Sequence, residues 1–270
     1  MALAPRLEAM KTAFRTANPA LSDKTFQSFG GFVGREADAR TTPSSDVMTI
    51  QGTVNKTSIL LAILVVAAIV PWRLFFNSGN PASVMPLLFI GLVGGLVLAL
   101  VAIFKKEWAG VVAPLYAVCE GLVLGGLSAM YEMRFPGIVF QAVALTFGVL
   151  GVLLVVYKTG AIKATENFKK GIIAATGAVC LVYIATFLLR MFGVDVGFMH
   201  SAGPLGIGIS MVIVVIAALN LVLDFDFIEE GAKRGAPKYM EWYGAFGLLV
   251  TLVWLYLEIL RLLSKLNSRR

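Results

Sequence analysis

Seven long apolar stretches occupy most of the chain between about residues 58 and 263. Each is about 20 residues long, which is the length that an α-helix needs to cross the hydrocarbon of a bilayer. Because lipid offers no hydrogen-bond partner to the backbone, such stretches are expected to be helical throughout. The sequence therefore predicts an all-α, polytopic membrane bundle of seven transmembrane helices. The predicted spans are residues 58–76, 85–104, 109–131, 137–157, 171–192, 204–228 and 239–263.

Composition agrees with a membrane protein and argues against a nucleic-acid partner. Hydrophobic residues make up 58% of the chain and charged residues 14%, whereas about 25% of the residues in soluble domains are charged. The net charge of +7 is spread over loops and tails, which suits anionic lipid headgroups. The expected partner is therefore the lipid bilayer.

The first 57 residues differ sharply from the rest of the chain. They are polar and of mixed charge, and we expect a largely disordered cytoplasmic tail at 1–57 followed by a transmembrane domain at 58–270. The tail lacks the short apolar core of a cleavable signal, so the first membrane helix is expected to act as the targeting element.

The distribution of Lys and Arg predicts how the bundle is oriented. Basic residues concentrate in the tail and in the second, fourth and sixth connections, which places the N-terminus in the cytoplasm of a protein of the cytoplasmic (inner) membrane. One group conflicts with this rule, because seven spans would put the basic end of the last helix outside. That group is Arg261, Lys265, Arg269 and Arg270.

Three carboxylates lie within the predicted spans and are the main candidates for a functional site. They are Asp224, Glu120 and Glu258. A charge in the bilayer interior costs roughly 2.5 kcal/mol or more, so such residues usually face a bundle interior or a wet cavity. Asn220 precedes Asp224 by four residues and shares its helix face.

Each acid also has a structural interpretation. Asp224 could be solvated at the membrane interface. Glu120 stands mid-span and is expected to be the most clearly buried, either neutral or ionised against a partner. It could simply hold two helices together by a hydrogen bond. Glu258 could pair with Arg261 at i+3.

Small residues predict where helices approach closely. Gly91 and Gly95, and again Gly121 and Gly125, have the four-residue spacing that favours close helix contacts in lipid. The last helix carries a stripe of small and polar residues, which is expected to face other helices. The stripe consists of Gly244, Gly247, Thr251 and Glu258.

The chemistry of an enzyme is not indicated. The single histidine, His200, is predicted to lie in a turn, and Cys119 and Cys180 both lie in apolar stretches. Without a histidine or cysteine cluster we expect no metal site and no cofactor. Asp224 is the only aspartate set well inside a span, so an aspartyl intramembrane protease is not expected either.

Three motifs in the order found here resemble the Bax inhibitor-1/YccA family. They are EGLVLG at residues 120–125, LDFDFI at 223–228 and LRLL at 260–263. The resemblance covers about residues 58–263 and leaves the tail outside, so the chain looks like a bacterial member with a long N-terminal tail. It implies a seven-helix bundle around a central last helix, and a pH-sensitive calcium leak.

In that family two acids on the sixth and seventh helices share protons and latch the pore. The resemblance assigns the sixth-helix acid to Asp224 and places the seventh-helix acid at Thr251, which is not acidic. Glu258 lies seven residues further on, roughly 10 Å along a helix. The shared-proton latch is therefore incomplete in this sequence.

The leading hypothesis is a cation leak channel, with calcium as the expected ion, gated by protonation of the intramembrane carboxylates. A dedicated calcium cage needs about six oxygen ligands, so weak calcium affinity is expected. The alternative is a regulator without transport that binds a membrane-anchored protease or other membrane proteins.

Overall fold

A computed structural model of the chain describes residues 46–193 and 203–269. This described part contains seven helices long and apolar enough to cross a membrane, and its only β-pairing is an isolated bridge between Val47 and Pro237. The all-α, seven-span prediction is confirmed. The helices are α1 Ile50–Ser78, α2 Met85–Phe104, α3 Ala109–Arg134, α4 Ile138–Lys158, α5 Glu166–Met191, α6 Pro204–Lys233 and α7 Met240–Asn267.

Three helices extend five or more residues beyond the predicted spans, and one of them, α5, begins at Glu166 instead of residue 171. Helix α1 begins at Ile50 instead of residue 58, because the Thr49 hydroxyl caps it by accepting a hydrogen bond from the Gly52 amide. Helix α6 continues to Lys233, so Glu229 and Glu230 are helical and the prediction of a loop there is wrong. In all three cases a polar turn of the helix lies outside the apolar run that marks the span. Residues 1–45 of the predicted tail, and His200, lie outside the described residues.

Helix α7 is the most buried of the seven. Of its most apolar 18-residue window, 61% is buried, compared with 17% for α2, α4 and α5. It packs against α1, α3, α4 and α6. Tyr116 of α3 meets Phe246 of α7 edge-on, with 4.9 Å between ring centroids. That α7 forms the centre of the bundle stays a prediction.

The predicted glycine contacts are confirmed. A Cβ atom added to Gly125 would lie 2.2 Å from the Ala68 carbonyl oxygen of α1, and one on Gly121 would lie 2.4 Å from that of Leu64. On α2, a Cβ atom on Gly91 would lie 2.6 Å from the Cys119 carbonyl oxygen. Helix α3 therefore packs with its backbone close to both α1 and α2, as small residues permit in lipid.

A buried ion cluster joins the segment before α1 to the start of α7. The Glu241 side chain is fully buried and accepts hydrogen bonds from the Thr49 amide at 2.9 Å and the Thr49 hydroxyl at 2.8 Å. Lys56 and Lys238 form ion pairs with the same carboxylate. We call these four residues the Glu241 cluster. Two backbone hydrogen bonds complete the attachment, from Met48 to Ala236 and from Lys238 to Asp46.

The two ends of the bundle are named here by the ends of its first and last helices. The Ile50 end carries the starts of α1, α3, α5 and α7, and the Asn267 end carries the starts of α2, α4 and α6.

Candidate functional site

Asp224 is sealed inside the bundle, on the face of α6 that meets α7. It is 0% exposed, and neither carboxyl oxygen forms a hydrogen bond of normal geometry within the described residues. Its neighbours along α6, Leu223 and Phe225, are buried and apolar. The interpretation of Asp224 as a solvated interfacial residue is therefore wrong. A buried polar group that lacks a hydrogen bond is costly and needs a functional or structural reason.

Thr251 of α7 is the polar side chain that interacts with Asp224. It is 3% exposed, and its hydroxyl donates a long hydrogen bond of 3.3 Å to the Gly247 carbonyl oxygen. With its proton used in this way, the hydroxyl presents only lone pairs to Asp224. A hydrogen bond between the two would therefore need a proton on Asp224, or a rotation of the Thr251 hydroxyl. Thr251, the position that the resemblance assigns to the seventh-helix acid, therefore lies against Asp224.

Asn220 is buried one turn before Asp224, but its amide is already used. The amide nitrogen donates to the Thr176 hydroxyl of α5 at 2.9 Å and to the Ile216 carbonyl oxygen at 2.8 Å. Asn220 therefore ties α6 to α5 and extends the polar face without bonding Asp224 itself.

Glu258 lies apart from Asp224 and is fully paired. Its two oxygens each accept a hydrogen bond of 2.9 Å from Arg261, and one of them also accepts from the Tyr183 hydroxyl at 2.8 Å. The Trp254 indole donates to the same oxygen at 3.2 Å. These contacts match the interpretation of Glu258 as the i+3 partner of Arg261. They do not bring Glu258 to Asp224.

Glu120 is less buried than the sequence indicates. It is only partly buried, whereas Asp224 and Glu258 are 0% and 1% exposed. Its carboxylate interacts with the Tyr116 side chain on the same helix, and one oxygen lies 3.3 Å from where a Cβ atom of Gly95 would stand. Glu120 therefore lies at the rim of the contact between α2 and α3. Depth along a span is not the same as burial among helices, which is why the expectation of deepest burial was wrong.

An acidic cavity opens at the Ile50 end, directly beyond Asp224. It encloses about 330 Å³ and its wall includes three carboxylates of α6. Asp226 pairs with Lys169 at 2.6 Å, and Glu229 accepts a 2.6 Å hydrogen bond from the Tyr157 hydroxyl. The charged side chains in the wall are Lys163, Asp226, Glu229, Glu230 and Lys233. The first of these carboxylates, Asp226, lies two residues after Asp224, about 3 Å further along the helix axis.

The candidate acids do not form a metal site. Within residues 46–193 and 203–269, no group of three or more His, Cys, Asp or Glu side chains could hold a metal ion. Asp224 and Thr251 are brought together, while Asn220, Glu120 and Glu258 each have other partners.

Sequence reasoning missed the Glu241 cluster and the cavity carboxylates. Thr49 and Glu241 are 192 residues apart in sequence, so no local pattern indicates their contact. Glu229 and Glu230 lie just past residue 228, where the predicted sixth span ends, although their four-residue spacing from Lys233 and Arg234 is a helical ion-pair signal.

The chain matches the model of a known protein family. A family model described as Bax inhibitor 1 like matches residues 11–268. The match extends to residue 11, so the expectation that the tail lies outside the family similarity is wrong. No curated protein and no solved structure matches the chain significantly.

Proposed function

Because the chain belongs to the Bax inhibitor 1 like family, we propose that this integral membrane protein lets cations, calcium among them, leak across a membrane in a pH-dependent way. The observation that carries the proposal is Asp224, a carboxyl without a hydrogen bond of normal geometry, sealed between two membrane helices. Such intramembrane acids usually belong to an ion or proton pathway.

The gate in this proposal is the contact between α6 and α7. An ionised Asp224 would be a charge sealed between α6 and α7 with the Thr251 hydroxyl as its polar neighbour, and even a rotated hydroxyl that donates one hydrogen bond leaves a cost of several kcal/mol. Separation of α6 from α7 would relieve that cost by admitting water. The neutral acid is compatible with the sealed contact described above. The leak is therefore expected to increase as the pH rises and Asp224 loses its proton.

The acidic cavity supports access for cations from the Ile50 end. Asp226, Glu229 and Glu230 line this route, and each is paired with a cation, Lys169, Lys233 and Arg234 in turn. Three carboxylates that already have partners fall short of the roughly six oxygen ligands of a calcium cage. Cations are therefore expected to pass with weak affinity. The distribution of Lys and Arg favours a cytosolic Ile50 end in the cytoplasmic membrane.

The test measures calcium flux across the membrane of vesicles that contain the purified full chain. Flux is measured with a trapped calcium-sensitive dye between about pH 5.5 and 8, the range over which a buried carboxyl can be tuned. The wild-type protein is expected to leak more at the higher pH. Asp224→Asn keeps the size of the side chain but cannot ionise, so its flux should be low and nearly independent of pH.

A matched control replaces a carboxylate that lies outside the helices. Asp46→Asn changes an exposed side chain before α1, and its flux should follow the wild-type profile. An unchanged pH profile in Asp224→Asn would contradict the gate. Flux equal to that of protein-free vesicles at every pH would contradict the leak itself. That result would favour the alternative, a regulator that binds a membrane-anchored protease or another membrane protein.

A further inference from the structure

The Asn267 end of the bundle holds a group of basic side chains that the proposed leak does not use. A cavity of about 180 Å³ between α5, α6 and α7 has Arg190, Arg261 and Lys265 in its wall. A second cavity of about 260 Å³ is lined by Arg261 and Lys265 from the other side, together with Arg134. Among the described residues, no acidic side chain lines either cavity. Two of these residues, Arg261 and Lys265, belong to the four that conflict with the orientation rule.

Lys265 is fixed in position and does not extend freely into solvent. The residue is only 7% exposed, and its ammonium donates to the Gly206 carbonyl oxygen at 3.0 Å and to the Ser210 hydroxyl at 2.8 Å. A lysine held in this way has already lost much of its side-chain entropy. Its charge therefore stands at the shared wall of the two cavities before any ligand arrives.

Arg261 is oriented by Glu258 and still faces both cavities. Its hydrogen bonds to Glu258 and Tyr183 all leave from Nη1, so Nε and Nη2 take no part in them. The guanidinium also stacks over the Tyr183 ring, 5.3 Å from the centroid. A planar guanidinium anchored on one side suits the bidentate recognition of a phosphate on the other.

The cavity between α5, α6 and α7 is apolar on its opposite wall. Phe187, Ile209 and Ile213 line it there, and Phe187 is 65% exposed. The wall of this cavity thus combines basic side chains held in fixed positions with an apolar surface that suits a hydrocarbon chain. Arg190 stands near the end of α5 and Lys265 near the end of α7, where a membrane helix reaches the level of the lipid headgroups.

We propose that this cavity binds the phosphate group of an acidic phospholipid, with the acyl chain lying against Phe187 and Ile213. Basic pockets between transmembrane helices bind acidic headgroups on the cytoplasmic side of membranes, and the same charge complementarity applies at the Asn267 end. The site also gives a reason for basic residues at the end of α7 that the orientation rule disfavours. It does not depend on the proposed calcium leak.

The test measures lipid retention by native mass spectrometry of the full chain released from detergent. The probes are phosphatidylglycerol, phosphatidylcholine with the same acyl chains, and inorganic phosphate. The wild-type protein is expected to retain phosphatidylglycerol in preference to phosphatidylcholine. Arg190→Gln removes an exposed cation from the wall and should weaken phosphatidylglycerol binding about tenfold, as expected for one charge-assisted contact.

Arg73→Gln is the matched control. Arg73 is an exposed arginine of α1 near the same end of the bundle, and it lines neither cavity. Its phosphatidylglycerol binding should equal that of the wild type. Lys265→Gln should weaken binding as Arg190→Gln does, and thermal melting of each variant checks that it folds. If Lys265→Gln fails to fold, Arg190→Gln decides the matter alone.

Three outcomes would overturn the proposal. The first is equal retention of the two lipids by the wild-type protein. The second is Arg190→Gln binding phosphatidylglycerol as tightly as Arg73→Gln does. The third is saturable binding of inorganic phosphate that Arg190→Gln loses while lipid retention is unchanged, which would assign the site to free phosphate.

Discussion

Asp224 and Glu258 show two ways in which a membrane bundle accommodates a buried acid. Glu258 accepts hydrogen bonds from Arg261, Tyr183 and Trp254, so its charge is compensated where it lies. Asp224 is buried to the same degree and has a single hydroxyl beside it. When an acid has no partner that compensates its charge, gaining or losing its proton changes the electrostatic energy of its surroundings more than it does for an acid with such partners. The two side chains therefore differ in their surroundings and not in their depth.

Glu241 is the third fully buried acid, and the glycine beneath it makes its position possible. A Cβ atom on Gly52 would lie 2.1 Å from one carboxylate oxygen of Glu241. Gly52→Ala therefore forces Glu241 to move away from Thr49 and its two lysines. We expect the free energy of unfolding to fall by about 1 to 3 kcal/mol, because the displaced carboxylate loses its hydrogen bonds to Thr49 while it stays buried, measured by thermal melting in detergent.

The control for this substitution is Gly151→Ala in α4. A Cβ atom there would meet nothing within 4 Å. Alanine is the better helix former, so the control should melt at the wild-type temperature or slightly above it. If Gly52→Ala melted with the control, the Glu241 cluster would not hold the segment before α1 in place.

At the scale of whole helices, α3 depends on two neighbours approaching its backbone. Gly125 faces α1 at a distance that excludes even a methyl group. Gly125→Ala should separate α1 from α3 and lower the free energy of unfolding by about 1 to 3 kcal/mol. Thermal melting measures it, with Gly148→Ala as the control because nothing lies within 4 Å of that position. Equal melting of the two variants would show that α1 and α3 can move apart without cost.

The helices and their glycine contacts could be predicted from sequence because both depend on local patterns. Apolar runs of membrane length give the spans, and the four-residue spacing of Gly121 and Gly125 gives one contact face. The polar start of α1 could not be predicted in this way, because its cap at Thr49 lies outside the apolar run. The order of burial among the acids also escaped prediction, since Glu120 stands mid-span on the rim of α3.

The candidate site was predictable only in part, for a related reason. The resemblance placed Asp224 and Thr251 at corresponding positions of two helices, and the structure brings them together. Nothing local in the sequence indicates that Asn220 bonds Thr176 or that Glu258 bonds Tyr183. Such pairs depend on how helices rotate about their axes, which is set by packing across the whole bundle.

At the scale of the whole molecule, seven spans place the two ends of the described chain on opposite sides of the membrane. On spheroplasts, in which the cell membrane is intact but the outer layers of the envelope have been removed, we expect Ser268→Cys to react with a membrane-impermeant maleimide. Asp46→Cys should react only after the membrane is opened. Both variants need Cys119 and Cys180 replaced by alanine first. Labelling of both positions from one side would contradict seven complete spans.

The attachment of residues 46–49 to the start of α7 has a mechanical consequence. The Met48 amide donates a hydrogen bond to the Ala236 carbonyl oxygen, and the Thr49 amide donates one to the Glu241 carboxylate. A force applied to the chain before Asp46 would therefore act on α7 as directly as on α1. Glu241 lies ten residues before Thr251, about 15 Å along the helix. A force on Asp46 would therefore reach the helix that faces Asp224 through hydrogen bonds at the end of the bundle.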